Sequence, residues 1–83
     1  MGRSRRPKPI HLASKLRRIR LHLGLTQEEM VKRLNYTHSP LAPGQISEFE
    51  NDKREPPVQL LLCYARAAGL AMEYLVDDEL SLP

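Results

Sequence analysis

An all-α fold of five short helices is what this sequence predicts, and three observations lead there. Fourteen Leu stand against a single Phe and no Trp, so the core is aliphatic and poor in the aromatic and β-branched residues that strands favour. Apolar residues recur at spacings of three and four, most plainly at Leu12, Leu16, Ile19 and Leu23. Helix punctuation then falls at intervals along the chain. Gly24 and Gly69 sit where helices stop, Thr26 where one starts, and Pro43 and the Pro56–Pro57 pair before two more.

The 83 residues leave room for one domain, and a chain of this size buries only about 60% of its unfolded surface. Three stretches are expected: a basic arm over 1–9, a helical domain over 10–77, and a short acidic and apolar tail over 78–83. The net charge of +3 hides a polarity. Residues 1–20 carry eight Lys or Arg and no acid, whereas residues 73–83 carry four acids and no base. A basic arm suits a partner bearing phosphates, or serves as a solvated tail that aids solubility.

The first helix is expected from Ile10 or His11 to Leu23, ended by a left-handed Gly24. Leu21 points off its apolar stripe, as an isolated exposed residue or as part of a partner surface. Thr26 opens the second helix with a capping box to Glu29, and Leu25 and Met30 occupy the positions of a hydrophobic staple. That helix runs through Leu34, with Met30 and Leu34 inward and Lys32 and Arg33 outward. The connection 35–42 is long. Proline fits the first helical position and clashes further in, so the third helix begins at Pro43 and not at Pro40, and runs to about Asn51. Ile46, Phe49 and Glu50 turn toward its core side, leaving Gln45, Ser47 and Glu48 outside. The fourth helix spans Val58–Ala68, with Leu61, Leu62, Ala65 and Ala68 as its expected core face, Gly69 as its stop and Leu70 as the apolar contact that follows. A fifth, short helix covers Met72–Val76.

Two segments carry a resemblance. Leu16–Leu34 reads LRRIRLHLGLTQEEMVKRL, and Gly44–Pro57 reads GQISEFENDKREPP. Together, and over about Leu12 to Val76, the chain resembles the lambda-repressor-like (Cro/XRE) helix-turn-helix family. The resemblance implies a five-helix DNA-binding domain, here with an extended turn between the second and third helices. Counted from Met30 to Ile46, that turn is about five residues longer than the usual tight form. The resemblance also implies that Arg20 pairs with Glu50 and locks the first helix onto the reading helix. That pair is then structural and contacts no base.

The same resemblance places candidate DNA contacts. A helix N-terminus holds phosphate well, so Thr26 and Gln27 are candidates for the DNA backbone, with Gln27 at the position of a backbone-contacting glutamine in relatives. Pro43 and Gly44 fall where relatives carry base-reading side chains, yet neither has a polar group to offer. Gly44 instead permits close backbone approach. Gln45, Ser47 and Glu48 remain as base readers: Gln suits adenine and Glu suits cytosine. His38 and Ser39 of the long turn, with Thr37 beside them, are substitutes. Asn51, Lys53 and Arg54 flank the DNA backbone in the resemblance, or form a charged loop paired with Asp52 and Glu55. Arg3, Arg5, Arg6 and Lys8 follow the duplex or enter a minor groove.

Other features point away from chemistry. His11, His22 and His38 lack metal-site spacing, and Cys63 is alone, so neither a zinc site nor an internal disulfide is expected. Asp77, Asp78 and Glu79 read as a solvated end, because their spacing does not suit a calcium loop. Ser14, Ser39 and Ser47 have no paired base and acid, and Tyr64 and Tyr74 read as packing residues. No enzyme and no cofactor are expected. No apolar run approaches the roughly 20 residues of a membrane span, and no secretory signal is seen, so the cytoplasm is the expected compartment. The function expected is sequence-specific binding of double-stranded DNA and transcriptional regulation by operator occupancy, as a homodimer in contact through the fourth and fifth helices and the Leu80–Pro83 tail. Two alternatives stand beside it. One is an antitoxin-like or accessory module that captures a protein partner through its tail or Leu21 face. The other is a protein- or RNA-binding module that has lost operator reading.

Overall fold

The computed structural model describes residues 9–83. Among them the order is α1 (Leu12–His22), α2 (Gln27–Leu34), α3 (Pro43–Glu50), α4 (Val58–Ala68) and α5 (Glu73–Val76), without a strand. The fold is all-α, with five helices as the sequence predicts. The basic residues Arg3, Arg5, Arg6 and Lys8 lie outside the described residues.

Local chemistry sets most of the boundaries. Gly24 takes φ +73, where a side chain would be strained. The Gly24 N–H then reaches the Leu21 carbonyl at 3.0 Å and the Leu25 N–H reaches that of Arg20 at 3.2 Å, which closes α1. The capping box of α2 has both halves: the Glu29 N–H donates to Thr26 Oγ1 at 3.1 Å, and the Thr26 N–H donates to Glu29 Oε1 at 2.8 Å. The Thr26 N–H, and after it the Thr26 hydroxyl, hold the Glu29 carboxyl below the usual carboxylate range. Asn35 ends α2 in the left-handed region at φ 50, which its short polar side chain tolerates. α3 begins at Pro43 behind an extended Ala42, where a missing N–H costs no intrahelical bond.

α1 packs on α3, α4 and α5, and α2 packs on α3 and α4. Leu16, Met30, Ile46, Leu60, Tyr64 and Leu75 are fully buried where these helices meet. α4 corrects one expectation. Leu62 was expected inside but is 37% exposed, Ala68 is half-buried, and the inner face is Leu60, Leu61, Tyr64 and Ala65. Three consecutive leucines leave the rotational phase of the helix open. Burying Tyr64 in place of Ala68 removes far more apolar area from water, and that selects the phase. The Tyr64 hydroxyl is buried without a hydrogen-bond partner among the described residues, and burial pushes its pKa well above the ordinary tyrosine range.

One carboxylate ties three elements together. Glu50, at the end of α3, accepts from Arg20 Nε at 2.7 Å and from Arg20 Nη2 at 3.0 Å, a two-pronged ion pair. Arg20 Nη1 reaches past it to the Leu25 carbonyl at 2.9 Å, in the α1–α2 turn. The side chains are only 12% and 3% exposed, and the hydrogen bond to Glu50 holds the guanidinium pKa above its ordinary value.

The far end of the chain adds to the sequence reading. The acidic run is exposed, as a solvated end is, and it also closes onto α1. Asp78 Oδ2 and Oδ1 accept from the Ile10 and His11 N–H groups, each at 3.0 Å, so a residue distant in sequence caps the first helix. Lys15 is buried and donates to the Asp77 carbonyl at 2.9 Å, and Leu82 packs against the core. No local pattern marks such a cap, because its two halves lie at opposite ends of the chain.

Two outcomes follow from these contacts. Glu50→Ala strips a largely buried guanidinium of its counter-charge and should lower the unfolding free energy by about 3 kcal/mol, read from denaturant titration; parental stability would mean that Arg20 does not need Glu50 in the folded state. The backbone donors of Ile10 and His11 hold the Asp78 carboxyl below the usual carboxylate range. A depressed value stabilises the fold above the unfolded pKa of about 4, and the contribution is lost as pH falls below it. Asp78→Ala should therefore lower the melting temperature at neutral pH and flatten its decline between about pH 5 and 3. Parallel melting curves for the two proteins across that range would show that the cap is energetically silent.

Candidate nucleic-acid interface

α3 presents Gly44, Ser47, Glu48 and Asn51 on the side opposite its buried Ile46, Phe49 and Glu50, as 3.6-residue periodicity requires. The helix has no Lys or Arg, so cationic groups reach this face only from neighbouring segments. Gly44 is exposed, and a Cβ built there meets nothing within 4 Å. The protein's own packing does not require glycine at that position, which leaves the start of α3 open to another molecule.

The polar side chains of this face already have partners within the protein. Gln45 Oε1 accepts from the Ala42 N–H at 2.8 Å, which caps the start of α3. Asn51 Nδ2 donates to the Ser47 carbonyl at 2.8 Å and to Ser47 Oγ at 3.3 Å. Arg54 Nε donates to Glu48 Oε1 at 3.0 Å. Beside DNA contact, the alternative for Arg54 is a charged loop paired with Asp52 and Glu55; the structure adds Glu48, on α3, as a partner. Asp52 takes φ +59 and the Lys53 N–H bonds the Glu48 carbonyl at 2.8 Å, so the chain doubles back and sets Arg54 over α3. Lys53 itself is exposed.

Gln27 opens α2 and is half-buried. Its Nε2 lies 3.4 Å from Glu50 Oε1, so the same carboxylate that holds Arg20 also touches the start of α2. Thr26 is exposed, with Oγ1 engaged by the Glu29 N–H. In the long turn, Thr37, His38 and Ser39 are exposed, and the His38 ring lies 5.5 Å from that of Tyr36 at 46°. Tyr36 packs against the core and so anchors the turn just before its exposed residues.

Sequence reasoning missed several of these links. The Gln45 cap had a signal: Ala42 and Gln45 have the spacing of the second half of a capping box. The Glu48–Arg54 pair spans the end of a helix, beyond the i, i+4 rule, and has no local signature. The Gln27–Glu50 contact depends on how α2 crosses α3. Among the described residues, no group of three His, Cys, Asp or Glu stands close enough to hold a metal, and no helix is long and apolar enough to cross a membrane.

Comparison with known proteins places this arrangement. Its fold is similar to that of the P22 c2 repressor protein, solved by crystallography in complex with synthetic operator 9T in the presence of Tl+. The TM-score is 0.68 at 22% identity, covering 81% of this chain and 94% of that one, a likeness of fold. No curated protein sequence matches the chain. A family model described as helix-turn-helix, of the Cro/C1 type, matches residues 16–75, from within α1 through Leu75 of α5. The chain belongs to the Cro/C1-type helix-turn-helix family.

Proposed function

We propose that this chain regulates transcription by occupying a specific double-stranded DNA operator, with α3 in the major groove. The observation that supports it best is the disposition of α3. Its inner face is held by Ile46, Phe49 and the Arg20–Glu50 pair, while its outer face projects from the domain with an unobstructed tip at Gly44. A reading helix has to be rigid on one side and accessible on the other. α2 starts beside it, so the Gln27 N–H group and the Thr26 hydroxyl are disposed to take a backbone phosphate. Lys53 and Arg54, with Asn51, flank the opposite strand, and the basic residues Arg3, Arg5, Arg6 and Lys8 extend the attachment along the duplex.

In this proposal His38 and Ser39 supply part of the base discrimination, because Pro43 and Gly44 supply none from the first turn of α3. One α3 covers few base pairs, so two copies occupy half-sites about 34 Å apart. The chain is then a non-enzymatic regulator with no cofactor. A second reading, capture of a protein partner, has one observation in its favour. Leu21 is 54% exposed beside a groove of about 340 Å³ between α1, the end of α4 and Leu82.

Selection of binding sites from random duplexes at two salt concentrations tests the proposal. The expected result is one enriched palindrome, with affinity falling as log[salt] rises by a slope of about 0.9 per phosphate contacted. Attachment without enrichment at either salt would remove operator reading and leave the partner reading in its place. Repeating the selection with His38→Ala and Ser39→Ala should relax preference at the positions under the long turn. Identical preferences for both variants and the parent would remove the turn from recognition.

A further inference from the structure

The geometry points to Glu48 as the residue through which α3 discriminates bases, with Arg54 as its positioning residue and a cytosine amino group as the chemistry read. This inference rests on the operator reading above and deepens it.

The outer face of α3 leaves few choices. Gly44 has no side chain. Gln45 is folded back onto the Ala42 N–H, where it caps the helix. Asn51 is held by two bonds to Ser47, which also engages the Ser47 hydroxyl. Glu48 differs, because only its Oε1 is engaged, by Arg54 Nε at 3.0 Å, and Oε2 accepts nothing from the described residues. The side chain is 43% exposed on the centre of the outer face, so the free oxygen is accessible.

An ionised carboxylate is an acceptor only. In the major groove the base-edge donors are the amino groups of cytosine and adenine. The adenine amino group is flanked by the base's own N7 acceptor as well as by the paired thymine O4, and the N7 lone pair repels a carboxylate; cytosine has no acceptor on its own edge and meets only the paired guanine O6. A bare carboxylate would also be repelled by the flanking phosphates. Arg54 removes that objection by making the pair neutral and fixing the direction of the carboxylate. The backbone supports the arrangement separately: Asp52 at φ +59 and the Lys53 N–H on the Glu48 carbonyl turn the chain so that Arg54 arrives there.

The test is random-duplex selection, followed by affinity measurement on the winning site and its single-base variants, for the parent, Glu48→Gln, Arg54→Ala and Arg54→Lys. Both side chains lie on the surface, and unchanged melting curves for the variants confirm that the fold is kept. The parent should enrich cytosine at one position of each half-site. Glu48→Gln should move that position to adenine, which a glutamine can pair twice, and weaken binding to the parental site roughly five- to hundredfold. Arg54→Ala should reduce discrimination at that same position and leave the others intact, and Arg54→Lys should restore part of it, since lysine keeps the charge but not the planar fork. If Glu48→Gln enriches the parental site, or tightens binding to every duplex by a common factor, Glu48 acts through charge alone and the inference falls while operator reading stands. If the parent enriches no site, both fall together.

Discussion

A single buried carboxylate governs the geometry of this domain. Glu50 accepts from Arg20 through two nitrogens and from Gln27 at longer range, and Arg20 passes a third hydrogen bond to the Leu25 carbonyl. Those contacts join α1, the α1–α2 turn, the start of α2 and the end of α3. Apolar packing of Leu16, Met30 and Ile46 brings the same helices together, but hydrophobic attraction is not directional and tolerates sliding. The planar fork of arginine does not. A buried ion pair of this kind is a weak source of net stability, because desolvation offsets much of its attraction. Its contribution here is orientation: α3 holds one angle to α2, and the outer face of α3 keeps one direction.

The outer face is organised by a second set of bonds. Gln45 caps the start of α3, Asn51 closes on Ser47, and Arg54 folds back onto Glu48. These bonds are exposed, so each contributes little to stability and can be exchanged for contacts with another molecule at small cost. They still matter for recognition, since ordering side chains before association reduces the entropy lost on binding. The long turn adds to the same surface, with Tyr36 fixed against the core and Thr37, His38 and Ser39 exposed beyond it.

The two ends of the described chain are joined as well. Asp78 caps α1 through Ile10 and His11, and the buried Lys15 amine meets the Asp77 carbonyl. In a domain this small the core alone supplies modest stability, and a contact between distant segments restrains α1 and α5 together. The contact also sets the Asp77–Asp78 pair at the first turn of α1, beside Ile10, His11 and the Lys15 amine.

Much of the fold is legible in the sequence because the signals are local. Capping at Thr26 and Glu29, the left-handed Gly24 and Gly69, and the proline constraint at Pro43 each act within a few residues, and they set the ends of α1, α2, α3 and α4. Burial of Leu12, Leu16 and Ile19 follows from spacing alone. The rotation of α4 is not legible, because Leu60, Leu61 and Leu62 are chemically equivalent and only the helices beside them decide which face is covered. The site divides in the same way. Its residue types are readable, but their partners are not: Glu48 meets Arg54, and Gln27 meets Glu50, across gaps that no periodicity spans. Local order determined most of the helix boundaries, the start of α1 apart; the tertiary structure alone decided which side chains face one another, since pairing between separate helices depends on crossing angle and rotation, which short-range chemistry does not encode.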